Sequence, residues 1–232
     1  MHIIQLNRYI LSFLVINLLL VILLPLKVHS SNDTGNCHCF RNRTFNTGDK
    51  FSSDDYLLTT TFNSLLASEF KISKRQIITM KMQDGVASDD LIISLYISRE
   101  AGIDVSQLLT MKRKQPWTKI IQQLKTSKTS SNAEHAINLI TTVTSDDQII
   151  NEIINRIIIA RFSSAQESLE LLKKQNCTSK EIILAYTLAK HTDTPVLAIA
   201  DQYKQNGMSW SEIAHNFGLE PADVGKLLYS EQ

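Results

Sequence analysis

The chain has 232 residues, of which 43% are hydrophobic, and a formal net charge of +1. This length and composition allow a sizeable core, and they lack the concentration of positive charge that is typical of nucleic-acid-binding proteins. Only seven glycines and four prolines occur, too few for the frequent tight turns of a β-sandwich or a β-barrel. The composition therefore predicts a helical protein.

The first 30 residues are predicted to be a signal peptide. Arg8 precedes an apolar run from Ile10 to Leu24, which a proline ends. As a helix, the run would extend about 22 Å, which is too short for the hydrocarbon layer of a membrane but typical of a signal-peptide core. We expect cleavage after Ser30 and export to the periplasm or another part of the cell envelope. The alternative is an uncleaved membrane anchor formed by residues 10–26.

Residues 31–70 are predicted to be a loop-rich segment that contains a possible thiol or metal site. Cys37, His38 and Cys39 offer two thiolates and an imidazole, which suit zinc or cuprous copper, and the two cysteines could also form a redox-active pair. A structural zinc site would still need a fourth ligand, and no other histidine has a ligand-like spacing. The remaining cysteine is Cys177. In an oxidising compartment, a disulfide from Cys37 or Cys39 to Cys177 is the competing interpretation, and unpaired thiols or intermolecular pairing are further alternatives.

The rest of the chain is predicted to consist of two related helical units joined by connecting helices. The first unit covers residues 71–128, the connecting helices residues 129–162, and the second unit residues 163–232. Apolar residues recur at helical spacing in each part, most clearly in an Ile-rich helix near 147–160. The predicted helices of the two units are near 75–83, 89–100 and 104–114, and near 165–175, 180–191 and 195–206; a helix that starts at a tryptophan follows in each unit, at Trp117 and at Trp210.

The two units correspond residue by residue, which indicates a duplication. Ser88, Ile92, Arg99 and Val105 align with Ser179, Ile183, Lys190 and Val196 at a constant offset of 91. Trp117, Ile120 and Leu124 align with Trp210, Ile213 and Phe217 at an offset of 93. Short helices bury their apolar stripes by stacking on one another. The predicted fold is therefore an all-α multi-helix bundle built from two related helical units, with the two indoles at equivalent places in a shared core. The alternative is that any two amphipathic helices share such a register.

The end of the second unit resembles the helix-turn-helix motif of bacterial DNA-binding proteins. Five residues of the segment 209–229 have the spacing of this motif, namely Ile213, Ala214, Gly218, Leu219 and Val224. The start of the second helix of this segment carries two acidic residues, Glu220 and Asp223. The only basic residue of this helix is Lys226. Acidic side chains repel phosphates, and the arginine, asparagine or glutamine residues that read base edges are missing. The sequence thus argues against nucleic-acid binding and favours a packing role for this motif.

Scattered pieces of the chain resemble exported bacterial all-helical proteins of unknown function. The pieces are Cys37-His38-Cys39-Phe40, Arg43, Tyr56-Leu57-Leu58, Asn63-Ser64 and Lys74-Arg75, together with the tryptophan-led helix starts. The resemblance covers most of the chain after the signal peptide. It implies an envelope location and a cysteine pair near the mature amino terminus, but no activity.

Catalytic motifs do not appear in the sequence. There is no nucleophile elbow, phosphate loop, dinucleotide fingerprint or metalloprotease histidine pair. Three aspartate pairs, at 54–55, 89–90 and 146–147, are interpreted as helix caps. We therefore expect an exported, non-catalytic binding or assembly module that acts on a protein partner or on copies of itself. The first alternative is a thiol-redox or metal-binding module using Cys37, His38 and Cys39, and the second is a helix-turn-helix DNA-binding protein.

Overall fold

The computed structural model describes residues 43–126, 145–163 and 166–229, all of which belong to one compact unit. Within these ranges the chain forms eleven α-helices and no strand, which confirms the predicted all-α fold. The predicted signal peptide and the Cys37-His38-Cys39 segment lie outside the described residues. In chain order the helices are α1 (Asp54–Phe70), α2 (Lys74–Met82), α3 (Ser88–Ala101), α4 (Val105–Lys112), α5 (Trp117–Thr126), α6 (Asp146–Phe162), α7 (Gln166–Lys174), α8 (Ser179–Thr192), α9 (Val196–Lys204), α10 (Trp210–Asn216) and α11 (Pro221–Val224), and a 3₁₀ helix (Gly225–Leu228) follows α11 directly.

The segment 31–70, predicted to be loop-rich, instead contains a 17-residue helix over its second half. This helix, α1, lies deep in the protein, and its buried residues include a run of polar ones from Thr59 to Thr61. Because these polar residues occupy buried positions of the helix, the helical spacing of apolar residues, from which the other helices were predicted, is interrupted in α1. The helix can bury them because some hydroxyls bond to its own carbonyls, as Ser64 Oγ does to Thr60 O at 2.8 Å.

The starts of several helices follow directly from local sequence. Ser73, Thr178 and Ser209 each form a capping box with a Gln or Glu three residues later, so that two backbone N–H groups are satisfied at each start. The aspartate pairs play a different part from the one predicted. They lie in the first turns of α1, α3 and α6, but the N-cap positions belong to other residues, and Asp54 bonds to a different helix.

In two successive series of five helices, three helix pairs match in length and two of these pairs also match in the way they end. We call α1–α5 the first series and α6–α10 the second series. Helices α1 and α6 both have 17 residues, α2 and α7 both have nine, and α3 and α8 both have 14. The chain adopts left-handed backbone after α1 and α6, and again after α3 and α8, at four residues with positive φ: Lys71 (53°), Ser163 (47°), Gly102 (68°) and Asp193 (52°).

The two series pack against each other reciprocally. Helix α1 of the first series packs against α8 of the second, while α6 of the second packs against α3 of the first. The larger core cluster takes residues from each of the helices α1 to α9 and from the 3₁₀ helix, and the smaller one joins α1 to α8, α9, α10 and α11. Burial of these apolar faces, at about 25 cal/mol per Å² of apolar surface removed from water, is the main force that joins the two series.

Residues 43–53 lie across the last helices of the chain. Lys50 Nζ donates to the carbonyl of Gly207 at 2.8 Å, and the Phe45 ring lies 4.6 Å from the His215 ring, centroid to centroid. The Phe45 amide also donates to Glu220 Oε2 at 3.2 Å. The segment before α1 is thereby attached to α10 and its flanking loops.

Candidate functional site

The predicted thiol or metal site, Cys37, His38 and Cys39, lies outside the described residues, and of the disulfide candidates only Cys177 lies within them. Cys177 is a half-buried free thiol, and burial raises the pKa of that thiol above its ordinary value of 9.0, although nearby Lys204 acts in the opposite direction. A thiol with a raised pKa stays protonated near neutral pH and is a weak nucleophile and metal ligand. In the part of the chain that the structure describes, no three His, Cys, Asp or Glu residues lie close enough together to hold a metal ion. A disulfide from Cys177 to Cys37 or Cys39 stays a prediction, because those two cysteines lie outside that part.

A groove of about 510 Å³ is formed where the ends of α6 and α8 meet the start of α9, with α7 along one side. We call it the α6/α8 groove. Its volume falls in the range of roughly 300–1,000 Å³ that is typical of sites for small molecules. Its walls combine charged, hydroxyl and aromatic side chains: Arg161, Phe162, Ser163, Ser168, Tyr186, Lys190, Asp193 and Thr194.

Local structure determines which side chains reach the groove. Helix α6 ends at Phe162 because Ser163 adopts left-handed backbone, and this places the last turn of the helix in the wall. Tyr186 and Lys190 are four residues apart on α8 and therefore share one face of that helix. The rings of Phe162 and Tyr186 stack, with centroids 5.4 Å apart and planes inclined at 23°.

The position of Arg161 is set by a contact outside the groove. Its Nη2 atom donates a hydrogen bond to the carbonyl of Leu228 in the terminal 3₁₀ helix. Among the described residues of the wall, Arg161 and Lys190 are basic and Asp193 is acidic. The groove therefore combines charged groups of both signs with a pair of aromatic rings.

The two tryptophans occupy corresponding helix starts but have different neighbours. Both are fully buried. Trp117 Nε1 donates to Asp90 Oδ1 at 2.8 Å, whereas Trp210 Nε1 has no acceptor among the described residues. The ring of Trp210 instead stacks on Tyr203, with centroids 4.7 Å apart. The prediction of equivalent surroundings for the two indoles is thus wrong for their polar contacts, although their burial is the same.

One lysine–carboxylate ion pair in each series occupies a corresponding position. Lys112 Nζ lies 3.4 Å from Asp90 Oδ1 in the first series, and Lys204 Nζ lies 3.3 Å from Glu181 Oε2 in the second. Each lysine is the last residue of its helix, α4 or α9, and each acid is the third residue of α3 or α8. Each contact joins two consecutive helices, α3 to α4 and α8 to α9, although Lys112 also pairs with Asp146 at 2.6 Å and Lys204 also donates to Asn176 O at 3.1 Å.

The helix-turn-helix segment packs into the core. Its second helix, α11, has only four residues, and Pro221, Val224 and Leu228 are buried in and after it. Gly225 lies so close to α1 that a Cβ atom there would be 2.7 Å from Ser64 Oγ. The described geometry favours a packing role for this segment, because its apolar face is already covered by α1.

Sequence reasoning did not identify the side chains of the α6/α8 groove. Arg161 lies just after the predicted Ile-rich helix near 147–160 and Lys190 lies in the predicted helix 180–191, and neither belongs to a known motif. The signal that could have found them is the alignment of the two series, in which Arg161 takes the place of Glu69 at an offset of 92 and Lys190 takes the place of Arg99 at an offset of 91.

None of the helices in residues 43–126, 145–163 and 166–229 has both the length and the apolar composition needed to cross a membrane. No protein-family model matches the chain, and no curated protein or solved structure is detectably similar to it.

Proposed function

We propose that the protein is an exported, non-catalytic binding module of the cell envelope and that its ligand binds in the α6/α8 groove. The observation that carries this proposal is the groove itself, a concave site of about 510 Å³ whose charged and aromatic side chains project from helix ends. The proposed export rests on the sequence of residues 1–30.

The groove is suited to binding because its walls are held in place by the fold. Arg161 is held by the Leu228 carbonyl, and the stacked rings of Phe162 and Tyr186 support each other. A site that is already ordered loses little conformational entropy when a ligand binds, so a modest number of contacts suffices.

We also infer that the two series of helices derive from the duplication of a five-helix unit. The support is the equal lengths of three helix pairs, the matching left-handed residues after them, and the corresponding lysine–carboxylate pairs. In this interpretation the Ile-rich helix α6 is the first helix of the second unit and the counterpart of α1, rather than a connecting helix.

A steric block tests whether the groove is the binding site. The protein would be recovered from an exporting host grown on ¹⁵N, and its amide signals would be followed by NMR during a screen of small-molecule fragments. We expect fragment-induced shifts to concentrate at groove residues in the natural protein and to vanish in Ser168→Trp, which fills one side of the groove. Lys174→Trp, an exposed position outside the groove on the same helix α7, is the matched control and should leave the shifts intact. Fragment-induced shifts only at residues outside the groove, or no shifts at all, would contradict the proposal.

The mass of the same sample tests the export step. Loss of residues 1–30 and recovery of a chain that starts at Ser31 are the expected results. An intact amino terminus on membrane-bound protein would instead support the anchor formed by residues 10–26.

The alternative function is a thiol-redox or metal-binding module that uses Cys37, His38 and Cys39. Its support is the adjacency of two thiols and an imidazole in the sequence. Metal analysis of the exported protein and of Cys37→Ser decides the metal branch: stoichiometric zinc or copper that disappears in the variant would favour this alternative over the binding module.

A further inference from the structure

Helix α6 exposes the face that its counterpart α1 buries. The two helices align at an offset of 92, which places Phe162 opposite Phe70 and Ile149 opposite Leu57. On one face of α1, six residues are all buried: Thr59, Thr60, Asn63, Ser64, Ala67 and Ser68. Their counterparts on α6, none of which is buried, are Asn151, Glu152, Asn155, Arg156, Ile159 and Ala160. We call these six residues the outer face of α6.

A short helix covers the corresponding face in the first series. The 3₁₀ helix Gly225–Leu228 lies on α1, where the Ser68 hydroxyl donates to the Leu228 carbonyl at 3.0 Å and Gly225 lies against Ser64. The outer face of α6 is instead bordered by two adjoining cavities of about 490 Å³ each, which share Asn155 as a wall. Within the described part of the chain, this face therefore has room for a further helix to pack on it.

The outer face of α6 carries one acid and one base, four residues apart. Glu152 Oε1 and Arg156 Nη2 form an ion pair 2.6 Å long, and the two side chains are 34% and 36% exposed. A guanidinium group has five N–H donors in a planar fork, and a carboxylate has two oxygens that each accept more than one hydrogen bond. Both side chains can therefore bind a second group of opposite charge while they keep the contact with each other.

This arrangement of charges complements itself across a twofold axis. When two α6 helices lie antiparallel across an axis at the level of residue 154, positions at equal distances before and after that level face each other. Each Glu152 then faces Arg156 of the second copy, at about 3 Å from the axis along the helix. The two copies of Asn155 lie beside the axis, where each amide offers a donor and an acceptor to the other.

We propose that the outer face of α6 is a dimerisation surface, and that the same face of a second copy of this chain packs on it. Each Arg156 binds its own Glu152 and the Glu152 of the second copy, so that four charges alternate in sign around the axis. Ile159, which is 37% exposed, adds apolar surface to the contact. This inference goes beyond the binding function proposed above, because it concerns a different surface of α6.

The oligomeric state of the exported protein is the first test. Sedimentation velocity over a series of concentrations should show a monomer that converts into a dimer as the concentration rises. The dimer should weaken as salt is added, because charge contacts hold its centre. A protein that stays monomeric at every concentration would overturn the proposal and leave the outer face of α6 to a different partner.

Charge reversal then assigns the dimer to this face. Glu152→Arg makes the charges of the outer face all positive, and Arg156→Glu makes them all negative. Two copies of either variant repel each other, so we expect each variant alone to dimerise at least about tenfold more weakly. An equimolar mixture of the two variants should recover dimerisation, because each positive face then meets a negative one. Lys226→Glu, which breaks an exposed ion pair with Asp223 outside this face, is the matched control and should dimerise normally.

Recovery in the mixture separates an interface from a role in folding. A substitution that merely damaged α6 would damage it in the mixture as well, and circular dichroism of each variant checks the helix content. A dimer that neither reversal weakens, or that the mixture does not recover, would show that the chain associates through another surface. If a variant does not fold, the ¹⁵N amide shifts of the natural protein on dilution decide: they should concentrate on the outer face of α6, and shifts confined to other helices would contradict the proposal.

Discussion

Replacing Asp54 with alanine should destabilise the protein far more than replacing its neighbour Asp55. Asp54 lies at the start of α1, yet its carboxylate accepts the backbone N–H groups of Trp210 (3.1 Å) and Ser211 (2.8 Å) and the Ser211 hydroxyl. The capping box of Ser209 satisfies the other two free N–H groups of α10. Alanine would leave two buried backbone N–H donors without an acceptor, at about 1–3 kcal/mol each, and would also remove the acceptor of the buried Ser211 hydroxyl. Because relaxation and water recover part of this loss, we expect a decrease of about 2–4 kcal/mol in the free energy of unfolding.

Urea denaturation followed by circular dichroism measures this effect, and the slope of the transition should not change. Asp55→Ala is the control, because Asp55 is exposed. A loss below about 1 kcal/mol, or equal losses in the two variants, would refute the conclusion that Asp54 joins α1 to α10.

The same carboxylate predicts a pH dependence of stability. Burial raises the pKa of Asp54 above its ordinary value of 3.8, and the hydrogen bonds from Ser211 and Trp210 oppose this only in part. A raised pKa in the folded state contributes stability that is complete below the unfolded-state pKa and is lost as the pH rises through the folded-state pKa. The stability advantage of the natural protein over Asp54→Asn should therefore be largest at acid pH and decrease as the pH rises from about 3.8. An advantage that grows with pH would show that the hydrogen bonds outweigh burial.

Three further substitutions test other parts of the fold. Gly225→Ala should lower the free energy of unfolding by about 1–3 kcal/mol, because the added Cβ would lie 2.7 Å from Ser64 Oγ, and thermal unfolding measures this. Trp117→Phe should cost more stability than Trp210→Phe in the same denaturation assay, because only the Trp117 indole has an acceptor among the described residues; equal costs would contradict the contact described. Burial, together with the charge of Lys226, lowers the pKa of Lys74 below its ordinary value of 10.5. The charged form of Lys74 therefore destabilises the folded state, and the folded state regains stability as the pH rises toward 10.5. Lys74→Met should therefore be the more stable protein near pH 7 and lose that advantage at alkaline pH, as measured by denaturation at several pH values.

Helix type and position could be predicted from the sequence because the apolar residues recur at helical spacing on nearly every element. The helix expected at 180–191 is Ser179–Thr192, and the one expected at 89–100 is Ser88–Ala101. Helix α1 was not assigned as a helix in the domain prediction, because threonines and serines occupy its buried face. Burial of those residues depends on their hydroxyl bonds to helix carbonyls and on contacts with elements that are distant in the chain.

The candidate site could not be predicted from the sequence, for a similar reason. The groove brings together side chains from different turns of two helices, namely Arg161 from α6 and Tyr186 and Lys190 from α8. These side chains line one groove only because of the way in which α6 and α8 cross. The two Trp-led helix starts were found from the sequence, but the neighbours of the indoles were not. Asp90, which accepts from Trp117, and Tyr203, which stacks on Trp210, come from helices that packing brings alongside.

The order of amino acids alone determined the all-helical class and the approximate positions of most helices after α1, because helical spacing and capping boxes such as those of Ser73, Thr178 and Ser209 depend on contacts within about four residues along the chain. Only the tertiary structure decided that Asp54 bonds to α10, that α1 and α6 each pack on the opposite series, and that two cations share one groove. Those features join residues that are up to 157 positions apart, and such distant residues meet only when the apolar faces of many helices are buried together.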